Sequence, residues 1–427
     1  MSLPCFLTMV MMYNAKCDMT VKTPIYLDHN ATTPVDPRVL EAMLPYYREK
    51  FGNAASRSHP YGWIAADAVD KAREQVAAII GAETKDIVFT SGASESDNIA
   101  LKGVMEKYKS KGNHLITAAT EHKAVIDTAD YLAKAGYAVT ILDVDHNGQV
   151  HPDQVDAAIT DDTVLVSIML ANNETGVLHP VKEIGEVCEK RGVFFHCDAT
   201  QAVGKVPIDV KEMGIHLLAM SGHKIYGPKG VGVLYARSRN PRVRPEAVIH
   251  GGGHEQGMRS GTLNVPGIVG LGEACELCMK EMDEEIPRLG KLRDKLEKGI
   301  LDGLDEVYVN GHPTDRLPST TNISFKYVEG ESIMMMIKDI AVSSGSACTS
   351  ASLAPSYVLH AMGVPDFLAH ASLRFSLGRF TTEEEIDYTI ERVKKAIVRL
   401  REMSPLFEMA QKGIDIDKIQ WKQEHAH

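Results

Sequence analysis

Between about residues 36 and 280, short β-branched runs alternate with longer stretches whose apolar residues recur at helical spacing. Strands separated by such helices lie parallel only through crossovers, so the alternation requires an α/β sheet with helices packed against it. The runs Ile87–Thr90, His114–Ala119, Val139–Val144, Val164–Leu170, Val193–Asp198, Leu217–Ser221 and Gly230–Ala236 predict seven strands of one large, mostly parallel sheet. Asp36-Pro37 reads as the cap and first turn of a helix through Phe51, and a second helix is expected from about Ile64 to Ile80.

After Pro266 a helical stretch reaches about Leu301, punctuated by Pro287 and Gly290, and the pattern then changes to mixed strands and helices. A large domain is therefore expected at 25–280, with 25–35 a candidate to pack on the other domain, and a smaller α+β domain at 281–403. The last long helix opens with Thr382 and Glu385 at capping-box spacing and carries Ile386, Ile390, Val393, Ile397 and Leu400 on one face. Residues 1–24 read as an unstructured leader or an early start codon.

With 46 Lys+Arg against 57 Asp+Glu, the net charge of −11 argues against a nucleic-acid partner. The apolar stretch Leu7–Tyr13 falls far short of the roughly 20 residues of a membrane span. Seven cysteines without framework spacing point to reduced thiols and a cytoplasmic location.

Open α/β sheets bind ligands at the carboxyl ends of their strands. There the chain places Ser91-Gly92-Ala93-Ser94, Thr120-Glu121-His122, Ala171-Asn172-Asn173, Asp198-Ala199-Thr200-Gln201 and Ser221-Gly222-His223-Lys224. Each has a plain reading: Ser94 and Asp198 as helix caps, His122 as a satisfied cap residue, Lys224 as a solvated cation. Together they match what pyridoxal phosphate requires: a lysine amine to carry the aldehyde, a carboxylate for the pyridine nitrogen, and a helix-opening turn for the phosphate. No dinucleotide fingerprint, P-loop or metal-binding helix motif competes, and Cys275-x-x-Cys278 reads as a pair of structural thiols. Cys348, within the small-residue run Ser343–Ser350, is either a nucleophile or an incidental surface thiol. Arg374 is either a clamp for a substrate carboxylate or a structural ion-pair partner.

The motifs Tyr26-Leu27-Asp28, Ala31-Thr32-Thr33-Pro34, Ser91-Gly92-Ala93, Thr120-Glu121-His122-Lys123, Asn172-Asn173-Glu174, Ser221-Gly222-His223-Lys224, Arg259-Ser260-Gly261-Thr262 and Ser344-Gly345-Ser346-Ala347-Cys348 resemble those of cysteine desulfurases of the NifS/IscS type. These are fold-type I pyridoxal-phosphate transferases related to class V aminotransferases, and the resemblance runs from about Ile25 to Trp421. It implies that Lys224 holds the cofactor, Asp198 meets its ring nitrogen, Gln201 its ring hydroxyl, and His122 stacks on the ring and serves catalysis. Ala93, Ser94, Ser221 and His223 fall to the phosphate, joined by Thr262 from the other subunit of a homodimer. Asn173, beside the cofactor, and Arg374 fall to the carboxylate of L-cysteine. Cys348 is implied as the acceptor of its sulfur, with alanine released. No resident metal is implied, with Cys348 a candidate ligand for an iron–sulfur cluster in transit. The loop resembles the first desulfurase group, and the tail 404–427 resembles the segment with which iron–sulfur assembly enzymes dock a scaffold of the IscU type.

Overall fold

The computed structural model describes residues 21–344 and 355–413. The chain enters through β1 (Ile25–Tyr26) and two helices, Pro37–Arg48 and Pro60–Ile79. Asp36 caps the first of these by accepting from Arg38 N, and the helix stops at Arg48, short of the expected Phe51.

Seven strands follow: β2 (Ile87–Thr90), β3 (His114–Ala118), β4 (Ala138–Leu142), β5 (Thr163–Ser167), β6 (Phe194–Asp198), β7 (Leu217–Ser221) and β8 (Gly232–Ala236). They form one sheet in the order β2-β8-β7-β6-β5-β3-β4. Pairing is parallel from β7 to β4, whereas β8 runs antiparallel to both its neighbours. The cause is local: ten residues join β7 to β8, too few for a helical crossover. Strands β2, β3 and β5 to β8 are buried throughout, as a sheet covered on both faces demands, while the edge strand β4 is largely accessible. One core, including Phe89, Ile116, Phe195 and Tyr235, fills one side, and a second, including Ile99, Leu101, Leu115 and Phe194, fills the other.

The helix Val265–Leu301 leaves the large sheet and continues into the second domain without a break at Pro287 or Gly290. Its first half buries Leu271, Cys275 and Cys278 in the large core, and its second half buries Leu289, Leu292, Leu296 and Ile300 in another. That continuous apolar face outweighs the lost backbone bond at proline, worth about 3 kcal/mol in a helix interior. Gly272 lets the helix lie against its neighbour, since a Cβ there would stand 2.7 Å from Ala72 Cα.

The small domain contains β9 (Val307–Asn310), β10 (Thr320–Phe325), β11 (Ile340–Ala341), β12 (Ser343–Ser344) and β13 (Ser372–Ser376). Four of them form the sheet β12-β13-β10-β9, antiparallel throughout. Strand β1 pairs with β11, and Ile25 and Leu27 lie in the same core as Leu296 and Phe375. The helix Glu383–Glu402 opens with the expected capping box of Thr382 and Glu385. Among the described residues no helix is long and apolar enough to cross a membrane.

Candidate active site

Strands β2 and β7 are both antiparallel to β8, so β2, β3, β5, β6 and β7 end at the same edge of the sheet. Those ends line a cavity of ≈ 420 Å³, walled on its far side by Arg374 and Ser343 of the small domain. Lys224 closes the 3₁₀ turn Gly222–Lys224 after β7. Its Nζ donates to the carbonyl oxygens of Asn30 at 2.5 Å and Ala31 at 2.8 Å. Asp198 ends the neighbouring strand β6, with its Oδ1 accepting from Thr200 N at 2.9 Å.

Ala93 and Ser94 open the helix Ala93–Lys107, whose cap position falls on Gly92, so Ser94 lines the cavity and is not the cap. The turn is bare because β8 approaches it closely: a Cβ on Gly232 would lie 2.6 Å from Gly92 Cα. Ser221 and His223 lie beside it. His223 Nδ1 is 3.1 Å from Thr32 Oγ1, and burial together with the cations of Lys224, Lys229 and Lys205 brings its pKa down to about 4. His122 is both a cap and a cavity residue, its Nδ1 accepting from Ala124 N at 3.1 Å. That bond assigns the ring proton to Nε2.

On the opposite wall Arg374 donates to Asn173 O at 2.8 Å and to Asp28 Oδ1 at 2.7 Å. Gln201 Nε2 donates to Asn30 O at 2.9 Å. Behind Asp198 lie two fully buried carboxyls, Asp97 and Glu121, both pushed well up by burial and by the charge of Asp198. Burial also brings His196 down to about 4, and its Nε2 lies 3.4 Å from Asp97 Oδ1.

Thr262, expected to act at the other subunit's site, is exposed and not in the lining of this chain's cavity, and Arg259 anchors the same segment to the helix start through a 2.8 Å ion pair with Glu95. Cys348 lies outside the described residues, but Ser343, five positions before it, lines the cavity. The Cys275 and Cys278 thiols are buried and unbridged, as structural thiols should be. Among the described residues no cluster of His, Cys, Asp and Glu could hold a metal.

Asp28, Asn30 and Thr200 also line the cavity, with Ala31, Met169 and Ala171, without having been singled out for roles. Asn30 receives Gln201 and Lys224 on its carbonyl, and its buried side chain donates to Asn173 O at 3.2 Å and Thr320 Oγ1 at 3.0 Å, partners far away in the chain that no local pattern signals. Asp28 follows a two-residue strand, too short to be read from periodicity.

The sequence profile of class-V aminotransferases matches residues 25–389. The chain belongs to the class-V aminotransferase family. Within this family it lies among the cysteine desulfurases: it is 58% identical over 405 residues to cysteine desulfurase IscS of Anaeromyxobacter sp. (strain Fw109-5), covering 95% of this chain and 100% of that protein. The IscS of Pectobacterium carotovorum subsp. carotovorum (strain PC1) is also 58% identical, over 94% of this chain and 99% of its own. A solved NifS-like protein superposes with a TM-score of 0.82 at 38% identity, covering 88% of this chain and 99% of that one. A second, the NifS-like protein from Rickettsia africae ESF-5, gives 0.78 at 32% identity, over 87% and 99%.

Class-V aminotransferases of the desulfurase kind depend on pyridoxal phosphate, and the cavity fits that group. It offers a primary amine and a carboxylate on adjacent strand ends, and a helix N-terminus left open by Gly232. The buried Thr200 Oγ1, also in the lining, has no hydrogen-bond partner among the described residues.

Proposed function

We propose that this desulfurase takes L-cysteine into the cavity between Asp198 and Arg374, moves its sulfur to Cys348, and releases L-alanine. The convergence of Lys224, Asp198 and Arg374 on one cavity carries the reading. Bound pyridoxal phosphate supplies an electron sink for negative charge at the substrate Cα. Lys224 holds the cofactor covalently and, when its amine is free, moves a proton at that carbon. Asp198 meets the ring nitrogen, Gln201 the ring hydroxyl, and His122 covers the ring. Ala93, Ser94, Ser221 and His223 hold the phosphate. Arg374 and Asn173 orient the substrate carboxylate.

The balance needs no outside oxidant: cysteine and a thiol enter, and alanine and a persulfide on Cys348 leave. Ser343, five positions before Cys348 in the chain, lines the cavity wall, in keeping with this role. From there the sulfur passes to an iron–sulfur scaffold of the IscU type, which the tail 404–427 helps to dock, in the cytoplasm. The helix Pro405–Gln411 buries none of its residues, in keeping with a docking role; residues 414–427 lie outside the described part.

The working unit is an isologous dimer in which Thr262 of each subunit completes the other's phosphate site. Exposed Leu40, Tyr47, Tyr61, Trp63 and Ile64 on the first two helices, and Phe51 between them, support it. Borohydride reduction of the cofactor-loaded protein, followed by peptide mapping, tests the core of the assignment: the label belongs on Lys224. A label on another lysine, or no alanine formed from cysteine, would sink it.

A further inference from the structure

After β6 the chain makes a tight turn in which Gly204, at φ 71°, reverses direction against Cys278. A Cβ there would stand 2.8 Å from Cys278 Sγ, so glycine both permits the backbone angle and allows the close approach. The reversal carries Lys205 back beneath the active-site floor, where it lines a small cavity together with Lys224, His29 and Glu285. A lysine in this place is costly. Burial, reinforced by the cations of Lys224 and Arg374, brings its pKa down to about 7.

The contact made in return is with Gln201, four residues earlier: Lys205 Nζ donates to Gln201 Oε1 at 3.0 Å. A side-chain amide can turn over, exchanging its oxygen and nitrogen at little intrinsic cost, so its neighbours decide which atom faces where. In its ammonium form, which the Gln201 oxygen favours, lysine only donates, and this fixes the oxygen on its side. The carbonyl of Asn30 only accepts and receives Gln201 Nε2 at 2.9 Å, but it also receives Lys224 Nζ at 2.5 Å. With the oxygen tied to Lys205 and one N–H tied to Asn30, the remaining N–H of an amide that lines the cavity is left for a ligand.

We propose that Lys205 is a positioning residue for the cofactor: it holds the Gln201 amide so that an N–H, and not a carbonyl, meets the oxygen on the pyridine ring. This rests on the reading that the cavity binds pyridoxal phosphate. An N–H donor favours the ionised ring oxygen, whereas a carbonyl in its place would repel it. Lys205 thereby acts on the electronic state of the cofactor without touching it.

The test uses full-length protein stripped of cofactor and titrated with pyridoxal phosphate, reading the dissociation constant and the ratio of the absorbance bands of the ionised and protonated ring hydroxyl. Lys205→Met should weaken binding roughly tenfold and move the ratio toward the protonated form. Lys205→Arg, which keeps a donor, should restore most of both. In a Gln201→Ala background Lys205→Met should change neither further, because the group it orients is gone. Independent, additive losses in that background, or a wild-type band ratio in Lys205→Met, would overturn the proposal. Gln201→Glu provides a second arm that leaves Lys205 its acceptor but turns an oxygen toward the ring; it should bind at least as weakly as Gln201→Ala, and wild-type binding by it would also overturn the proposal. A wild-type protein that takes up no pyridoxal phosphate would instead refute the underlying reading of the cavity.

Discussion

Arg374 Nη2 lies 2.7 Å from Asp28 Oδ1, joining β13 of the small-domain sheet to the segment just after β1, 346 positions away in the chain. The same guanidinium holds Asn173 O at 2.8 Å, which sets its plane from the large-domain side. The sequence left Arg374 open between an ion-pair partner and a substrate clamp. The geometry makes it an ion-pair partner held rigidly at the cavity wall, which is also what a clamp requires.

Arg374→Lys keeps the charge but loses the planar fork that Asp28 and Asn173 together orient. Steady-state alanine formation should show KM for cysteine raised roughly ten- to a hundredfold, with cofactor binding unchanged. An unchanged KM would remove Arg374 from substrate binding.

Cys348→Ser replaces the sulfur acceptor with a hydroxyl that is protonated near neutral pH and forms no persulfide. The variant should still bind pyridoxal phosphate and still show a spectral response to cysteine, yet stop before alanine appears. Mass spectrometry of the wild-type protein after brief exposure to cysteine should find one added sulfur on Cys348, removable by a reductant. Alanine release by the variant at the wild-type rate would exclude Cys348 as acceptor.

The exposed aromatic cluster should matter to assembly. Phe51 and Tyr61 are 64% and 51% exposed, with ring centroids 5.3 Å apart. Replacing both with Asp should shift the sedimentation coefficient from dimer to monomer and weaken cofactor retention, since Thr262 would then be lost from each site. Thr262→Ala should weaken retention alone. A wild-type protein that sediments as an active, cofactor-loaded monomer would refute the shared site.

Glu174 predicts a pH dependence of stability. Burial raises its pKa from 4.5 to about 7, only partly offset by the bond from Ser356 and the charges of Arg374 and Lys123. A raised folded-state pKa leaves stability intact below the unfolded value and removes it as pH climbs through the folded one, by about 3 kcal/mol for a shift of this size. Glu174→Gln, which can still accept from Ser356, should match the wild type in denaturant titrations near pH 4.5 and exceed it at pH 8. Equal stability at both pH values would show that the carboxylate is not destabilised where it lies.

The fold class was legible because the seven strands of the large sheet are apolar enough to stand out against helical spacing, and each matches its expected run to within a few residues. The cavity residues Lys224, Asp198, His122 and Ser94 were legible for a related reason: strand ends were known, and ligands gather there. Of the small-domain strands only the one around Leu373-Arg374-Phe375 stands out in the sequence, and the structure has it at Ser372–Ser376. Three of that domain's segments, β1, β11 and β12, have two residues each, too short to show a period, and β1 and β11 pair across more than 300 residues of chain. Lys205 was passed over although it sits four residues after Gln201, because that spacing signals contact only in a helix, and here a glycine turn produces it.

The helix Val265–Leu301 makes the two walls of the cavity parts of one mechanical body. Lys224 is held on the large sheet, Arg374 on the small one, and both cores grip the same rod. A substitution that shifts the rod alters the span across which cysteine must fit, even when it lies far from the substrate. Gly272, against Ala72, and Gly299, where a Cβ would stand 2.6 Å from Ile390 Cδ1, are such levers. Substrate affinity in this enzyme is therefore exposed to mutation along a line that runs the length of the helix, outside the site itself.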